Sequence, residues 1–414
     1  METNRRFFGF DKNVTIAGFV SFFMDVSSEM IYPLVPLFLA NVIGVNKSVI
    51  GLIEGIAEST ASLLKVFSGW FSDRIGNRKW LMAAGYGIST LSRPIVALAT
   101  GWTHVMGSRF IDRFGKGVRT APRDAIIAES SDRAYLGRAF GFHRAMDTMG
   151  AVVGPAIAFF LVGILSNDYR KVFWLSMIPG IIAVSLIILF IKEKKKGGAQ
   201  LIVSTPEGSI NQTPTASDRP KLALKHFDWR FKFFVIIAGI FAIGNSSDVF
   251  LILRAQQVGI STIMIPVVYL LFNLVYSISS IPAGIAADKF GKKRVILSGF
   301  LLFAVLYFEF AVAVSPAAVW ILFGLYGLFM GLTEGIQKAF LATIIPQDFK
   351  ATAFGVYNTV TGIAMFPASL IGGWLWDHIS PSATFYFGAA TAAVSAVLFM
   401  VFIAVIRSSD ARRS

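Results

Sequence analysis

The chain has 414 residues, of which 55% are hydrophobic and 15% are charged, and its formal net charge is +14. A soluble domain carries about 25% charged residues, so this composition excludes an ordinary soluble protein and indicates a polytopic membrane protein. The chain contains no cysteine, which excludes disulfides and thiolate metal sites. Its four histidines are scattered singly without metal-ligand spacing, so no metal site and no cofactor are expected.

Apolar runs long enough to cross a bilayer recur twelve times along the chain. They predict helices 1 to 12 at about 14–40, 48–71, 80–100, 104–127, 140–165, 171–191, 231–254, 264–287, 294–314, 318–343, 352–376 and 383–406. A polar stretch rich in Ser, Thr, Gly and Pro separates the sixth run from the seventh and is typical of a flexible linker. We therefore predict three regions: an N-terminal six-helix bundle at 1–191, a cytoplasmic linker at 192–228 and a C-terminal six-helix bundle at 229–414.

Lys and Arg are concentrated in alternate predicted loops, and the remaining loops contain few of them. This asymmetry follows the positive-inside rule and predicts a multi-pass protein of the plasma (inner) membrane with both termini in the cytoplasm. The N-terminus is short and charged and the first apolar run is long enough to span, so no cleavable signal is expected. The positive net charge is thus explained by the membrane topology, and we expect no nucleic-acid partner. We also expect a monomer in the lipid bilayer.

A charged loop occurs twice, each time between two apolar runs, and reads G-x-x-x-D-[RK]-x-G followed by basic residues. The two aspartates, Asp73 and Asp288, are 215 positions apart, and Ala139-Phe140-Gly141 recurs 214 positions later as Ala353-Phe354-Gly355. This constant offset predicts two related halves, as in many transporters. The first Gly of each loop is expected to allow close helix approach, and the second to allow a turn with positive φ.

The doubled loop resembles the signature between helices 2 and 3, and between helices 8 and 9, of the major facilitator superfamily. The resemblance implies an all-α polytopic membrane protein with twelve transmembrane helices in two pseudo-symmetric six-helix bundles. It also implies that the loops control conformational change. The residues that we predict for this role are Gly69, Asp73, Arg74, Gly76 and Arg78 in the first loop and Gly284, Asp288, Lys289, Gly291 and Lys292 in the second.

Charged residues inside predicted spans are costly and indicate function, and here they are concentrated in the first half. At about 1.5 Å per residue, Arg109 lies near the level of Glu54, and Arg113 near Glu29 and Glu58. Such a ladder of opposite charges predicts a central cavity that binds a polar or charged solute and contains a protonatable carboxylate. The predicted cavity residues are Asp25, Glu29, Glu54, Glu58, Lys65, Arg109, Asp112, Arg113, Lys116, Arg144 and Asp147. The alternative is that the pairs only hold the half-bundle together or gate it.

Two further patterns resemble the superfamily. The run from Arg109 to Gly117 resembles its helix-4 pattern, in which the Arg is linked to proton transfer in many members, but Arg113 and Lys116 replace small residues. Helix 5 resembles the pattern of the family's antiporters, except that Ala158 replaces the last Gly. Its glycines favour close helix packing and its proline a kink. The predicted packing and hinge residues are Gly150, Gly154, Pro155 and, in helix 11, Pro367.

The predicted function is secondary active transport by alternating access, because no P-loop is present to supply ATP. Coupling to protons is expected, with Asp25, Glu29, Glu54 and Glu58 as candidate carriers. Export of a polar or charged solute is the first choice for direction, and uptake by proton symport is the second. The alternatives are a multidrug/proton antiporter for lipophilic compounds, a divalent-metal carrier and a non-transporting receptor. An enzyme is not expected, since the chain shows no nucleophile–base set.

Overall fold

The computed structural model describes residues 10–75, 77–131, 136–192, 227–345 and 350–411. Side chains at 65–75, 136–138, 141, 281, 342, 350–352 and 408–411 are not described. All of the regular structure in these ranges is helical. The protein is thus an all-α polytopic membrane protein, as the composition predicts.

Twelve helical spans follow one another, and we number them in chain order. Spans 1 to 6 comprise Lys12–Ile31 with Val35–Asn41, Lys47–Ile75, Arg78–Ala97, Trp102–Glu129, Leu136–Ile164, and Tyr169–Leu175 with Met177–Phe190. Spans 7 to 12 comprise Trp229–Gly244 with Val249–Gln257, Ile265–Phe290, Lys292–Val312, Pro316–Ile344, Lys350–His378 and Pro381–Ala411. Each predicted helix corresponds to one span, with shifts of a few residues at most ends.

Within the described residues, nine spans are apolar enough to be recognised as membrane helices by hydropathy and low charge alone. The other three are spans 2, 3 and 4, which have 29, 20 and 28 residues and are therefore long enough to cross. Spans 2 and 4 contain the largest share of the charged residues predicted to line a cavity. The charged residues predicted to line a cavity thus also lower the hydropathy of spans 2 and 4.

Spans 1 and 7 are each interrupted partway along their length by a few residues, which their apolar sequences did not predict. Span 1 is interrupted at Tyr32–Leu34, where Pro33 lacks the N–H of a helical hydrogen bond and its ring clashes with the preceding turn. Span 7 is interrupted at Asn245–Asp248, four consecutive polar residues that compete with the helix for backbone hydrogen bonds. The two breaks occupy equivalent places in the two halves of the chain.

The two ends of the bundle differ in charge. The basic end contains Lys12, Arg78, Lys292 and Arg407, and the distal end contains Lys47 and Asp377. Several helices begin with a carboxylate that accepts a backbone hydrogen bond, which satisfies amides that no helical carbonyl can reach. At the distal end, for example, the Asp168 side chain accepts hydrogen bonds from the backbone N–H groups of Arg170 and Lys171.

Spans 2 and 11 pack against each other across the two halves and seal the distal end. A Cβ atom on Gly51 would lie 2.1 Å from the Ser369 carbonyl oxygen, and one on Gly373 would lie 2.4 Å from that of Lys47. Glycine is therefore required for this approach. At the rim, the Asp377 carboxylate accepts hydrogen bonds from the backbone N–H groups of Lys47 (3.0 Å) and Ser48 (2.6 Å).

The cores of the two halves differ in chemistry. In the second half, aromatic rings stack between spans, as Phe241 does on Phe300 with 4.4 Å between ring centroids. Arg254 is the one charged residue there that is buried among the described side chains. In the first half, the buried acidic, basic and histidine residues among the described side chains are Glu54, Arg93, Arg109, Asp112, Arg113, Arg119 and His143. The polar chemistry is therefore concentrated in spans 2 to 5.

Candidate functional site

Two ion pairs join span 2 to span 4 inside the membrane. Arg109 donates from Nε to Glu54 Oε1 at 2.9 Å and from Nη2 to Glu54 Oε2 at 2.6 Å. One turn closer to the basic end, Arg113 Nη2 lies 2.6 Å from Glu58 Oε1. The structure thus brings together the residues that the depth comparison placed at the same level.

The two pairs differ in accessibility. The side chains of Arg109 and Glu54 are 6% and 2% exposed, so this pair is enclosed. Glu58 is 26% exposed while Arg113 is 9% exposed, so the second pair has one member that reaches open space. A buried bidentate pair is strongly oriented. We therefore assign the enclosed pair to the framework, and the partly open pair to the candidate binding site.

A third ion pair, between Arg93 of span 3 and Asp112 of span 4, was missed in the sequence. Arg93 Nη2 lies 3.2 Å from Asp112 Oδ1 and 2.9 Å from Ser28 Oγ, and Arg93 is 1% exposed. Asp112, a predicted cavity residue, thus lies between spans 3 and 4 and is 4% exposed. The signal was present, because Arg93 is a charge inside an apolar run.

Two polar atoms near the second ion pair have no hydrogen-bond partner among the described residues. They are Arg113 Nε and Glu29 Oε2, and both atoms are buried. The cations whose charges act on the Glu29 carboxyl are Lys116, Arg113 and Arg109. A buried donor and a buried acceptor without partners carry a desolvation cost that a bound polar molecule would remove. This arrangement suits a solute with both a hydrogen-bond donor and an acceptor.

Asp25 and Asp147 meet where spans 1 and 5 pack closely. The Asp147 carboxylate accepts a hydrogen bond from Ser21 Oγ at 2.6 Å and lies within hydrogen-bonding range of the Asp25 carboxyl. A Cβ atom on Gly150 would lie 2.9 Å from Asp25 Cβ, and one on Gly154 would lie 2.8 Å from Glu29 Cβ. The predicted packing residues of span 5 therefore lie against the carboxylates of span 1. Pro155 and Pro367 lie inside spans 5 and 11.

Arg144 of span 5 connects the two halves. Its Nη1 lies 3.3 Å from Asp147 Oδ2, and its Nη2 donates to Tyr276 Oη of span 8 at 3.1 Å. Tyr276 Oη in turn donates to the carboxylate of Glu334 on span 10. Arg144, Tyr276 and Glu334 border a cavity of about 430 Å³. We call it the basic-end cavity because it extends to Asp288 and Lys292.

Tyrosine side chains from both halves, together with Asp248 of the second half, lie close to the breaks of spans 1 and 7. The rings of Tyr32, at the break of span 1, and Tyr269 of span 8 are 5.2 Å apart, and the Arg109 guanidinium lies 5.5 Å from the Tyr32 ring. Tyr326 donates a 2.8 Å hydrogen bond to Asp248, at the break of span 7. Sequence reasoning did not single out these tyrosines, since tyrosine in a span is ordinarily a packing residue.

The doubled loops are described in part. Gly291 has φ +93°, as expected for the turn, and Asp288 lies 3.4 Å from Lys292 Nζ. Lys289 precedes this turn and lies over the ring of Phe290. The expectation that Gly284 allows close helix approach is wrong in this conformation, because span 8 turns this position toward the basic-end cavity. A Cβ atom there would meet nothing within 4 Å.

In the first loop, Arg78 pairs with Glu129 of span 4 at 2.5 Å. The backbone of span 2 extends through the residues before this loop to Ile75. The remaining predicted residues are outside the described set: Gly76 entirely, and Lys65, Gly69, Asp73 and Arg74 as regards their side chains.

Twelve helical spans in two halves, packed together at the distal end and bordering a cavity at the basic end, have the architecture of a membrane transport protein. Ion pairs join the spans of the first half. A family model described as Major Facilitator Superfamily matches residues 17–253 and 233–414. The chain is also 35% identical over 395 residues to an uncharacterized MFS-type transporter of Methanocaldococcus jannaschii, covering 94% of each chain. The protein belongs to the Major Facilitator Superfamily of transporters.

More distant similarities extend over most of the chain, one in sequence and one in structure. A multi-drug resistance efflux pump PmrA homolog of Lactococcus lactis is 23% identical over 379 residues, covering 89% of each chain. A crystal structure of a POT family transporter in complex with 5-aminolevulinic acid superposes with a TM-score of 0.78 at 13% identity, covering 96% of this chain and 97% of that one. At this identity the likeness concerns the fold alone.

Proposed function

We propose that this protein is a proton-coupled secondary transporter that exports a small polar or charged solute by alternating access. The observation that carries the proposal is Arg113, a nine-tenths buried guanidinium in the middle of span 4. It faces the partly open Glu58 and keeps Nε without a partner among the described residues. A guanidinium in a low-dielectric site binds a carboxylate or phosphate strongly and with defined geometry.

The anionic part of the solute would displace Glu58 from Arg113, and an amino or hydroxyl group would reach Glu29 Oε2. The solute would then replace Glu58 as the partner of Arg113, and the displaced Glu58 carboxylate, which is 26% exposed, would turn to open space where water solvates it. Glu29 Oε2, which has no partner among the described residues, would gain one. Arg109 and Glu54, enclosed one turn away, would keep span 2 and span 4 in register during this exchange. The site thus combines an exchangeable pair with a fixed one.

The conformation and the distribution of charge fit the loading step of an exporter. The distal end is sealed by spans 2 and 11, whereas the basic-end cavity extends from Tyr276 to Asp288. By the positive-inside rule, the basic end and both termini face the cytoplasm of a cell whose plasma membrane holds the protein. In this orientation the solute enters from the cytoplasm. The halves 1–191 and 229–414, joined by the linker 192–228, would then rock to open the distal end.

A second candidate function is export of lipophilic compounds in exchange for protons. It is favoured by the aromatic pair Tyr32 and Tyr269 beside Arg109, which offers a surface for flat or cationic molecules. The efflux-pump relative of Lactococcus lactis is consistent with it. A divalent-metal carrier is less favoured, because Arg109 and Arg113 already hold the carboxylates of Glu54 and Glu58.

Ligand-induced thermal stabilisation of the purified protein tests the proposal. A solute at about 100 times its Kd stabilises the folded state by about 2.7 kcal/mol, so a pooled panel reveals binders as a raised Tm. We expect polar, anionic or zwitterionic pools to stabilise the wild type but not Arg113→Ala. Lys171→Gln, an exposed cation at the distal end, is the control. Stabilisation by lipophilic cations alone, unchanged in Arg113→Ala, would replace the first function by the second.

A further inference from the structure

The carboxyl groups of Asp25 and Asp147 lie close together, and this closeness constrains their protonation. Ser21 and Asp25 lie one turn apart on span 1, and both face Asp147 of span 5. An ionised carboxylate only accepts hydrogen bonds, so two carboxyl groups can share one only if one of them carries a proton. The close approach is built into the backbone, because Gly150 leaves no side chain between the two helices.

We propose that Asp25 and Asp147 form a proton-binding site that holds one shared proton between spans 1 and 5. The site is separate from the ion pairs of Glu54 and Glu58, whose carboxylates face arginines instead of another acid. Two acids that share a site and cannot both ionise freely are a general way of retaining a proton. The proposal rests on the proton-coupled transport proposed above, and it specifies which groups carry the proton.

The surroundings allow this proton to be released as well as held. The charged and titratable groups that face the pair are Glu29 on span 1, Lys116 and Arg123 on span 4, and His143 and Arg144 on span 5. The segment Met177–Phe190 of span 6, which also packs against span 1, contains no ionisable residue. Lys116 and Arg144 can therefore compensate part of the second negative charge after proton loss, while Arg123 also pairs with Asp124 at 2.9 Å.

The pair is connected to the other half of the protein through Arg144. Asp147 Oδ2 and Tyr276 Oη lie 3.3 Å and 3.1 Å from two different nitrogens of this guanidinium, and Tyr276 also contacts Glu334. With the shared proton in place, Asp147 has a weaker hold on Arg144, which bridges to span 8. Loss of the proton to water in the basic-end cavity strengthens that hold and draws Arg144 away from Tyr276. Proton release thereby loosens the contact of span 5 with span 8.

Infrared spectroscopy of the purified full-length protein tests the shared proton without any solute. Over a pH titration in H₂O and D₂O, we expect a protonated-carboxyl C=O band that disappears as one proton is lost. Asp25→Asn and Asp147→Asn should each remove this same band, while Asp168→Asn in the distal loop should retain it. Two different bands removed separately, or a band retained in both variants, would overturn the proposal.

A more conservative variant tests the same assignment in case the Asp→Asn variants misfold. Ser21→Ala removes the 2.6 Å hydrogen bond to Asp147 and leaves both carboxyls in place. We expect the band to remain but to change frequency, and an unchanged frequency would contradict the assignment.

Solute-driven proton flux in proteoliposomes then separates this proposal from the proposed function. If the band behaves as expected but no solute moves protons in the wild type, the proton site is supported and coupled transport fails. If the wild type transports and Asp25→Asn transports with unchanged proton flux, the pair is not the carrier and this inference is overturned. Loss of proton flux together with the band, while the solute still stabilises the variant, supports both.

Discussion

Arg109 and Glu54 are joined at two points, with Nε and Nη2 of the arginine 2.9 and 2.6 Å from the two carboxylate oxygens. The pair of Arg113 with Glu58 lies four residues further along both helices, with Nη2 of the arginine 2.6 Å from Glu58 Oε1 and Nε without a partner among the described residues. Spans 2 and 4 run in the same direction, so equal steps along each helix keep the partners level. The first pair is enclosed and the second is partly open, which gives them different expected roles.

This difference predicts unequal costs for the same substitution. Glu54→Gln leaves Arg109 as an uncompensated buried charge, and we expect it to lower the free energy of unfolding by about 3–5 kcal/mol. Glu58→Gln should cost less, because water reaches a carboxylate that is 26% exposed. Thermal unfolding of the two purified variants measures this difference. Equal losses of Tm would contradict the division into an enclosed and an open pair.

Helix packing at Gly150 predicts a second contrast. Gly150→Ala places a methyl group 2.6 Å from the Phe22 carbonyl oxygen, so spans 1 and 5 must separate. Overpacking of this kind costs about 1–3 kcal/mol. Gly284→Ala is the matched control, since its methyl group enters the basic-end cavity and alanine favours the helix. A Tm that falls for Gly150→Ala and stays level or rises for Gly284→Ala is expected; the reverse order would show that spans 1 and 5 are not packed this closely.

The seal at the distal end predicts that a cross-link there stops transport. Ser48 Oγ lies 2.7 Å from the Asp377 carboxylate, and the chain has no native cysteine to interfere with labelling. Joining Ser48→Cys to Asp377→Cys with a short bifunctional thiol reagent should abolish solute release, since spans 2 and 11 can no longer part. The uncross-linked double variant is the control. Transport that continues at full rate after complete cross-linking would exclude opening of this end.

The bridge at Arg144 predicts a coupling defect without a loss of binding. Tyr276→Phe removes the hydroxyl that joins Arg144 to Glu334 and leaves the ring in place. We expect solute-induced thermal stabilisation to be retained while the ratio of protons to solute moved falls at least several-fold. Tyr386→Phe, on span 12 in the same half, serves as the control. An unchanged ratio in Tyr276→Phe would mean that the bridge is incidental.

Much of the fold could be predicted from the sequence because membrane helices must be long, apolar and internally hydrogen-bonded. The ion pairs of Glu54 and Glu58 could be anticipated because helix rise fixes depth. Depth does not fix rotation about the helix axis, which is why Asp112 was placed in the cavity although it faces Arg93. The break at Pro33 was hidden inside an apolar run that continues on both sides of it.

Contacts between the halves could not be predicted in the same way. The hydrogen bonds of Asp377 with Lys47 and of Arg144 with Tyr276 join residues 330 and 132 positions apart. They depend on how two bundles pack, and the packing differs between conformations of one transporter. For the same reason, Gly284 faces a cavity here although its motif suggested a close helix contact.

The most direct test of the account is the pH change inside proteoliposomes when purified protein meets pools of polar metabolites, metals or lipophilic cations. We expect a polar or anionic pool to move protons through the wild type, and we expect Arg113→Ala and Glu58→Gln to abolish this flux. Proton movement that occurs only with lipophilic cations, and is unaffected by Arg113→Ala, would contradict the role assigned to the charged site.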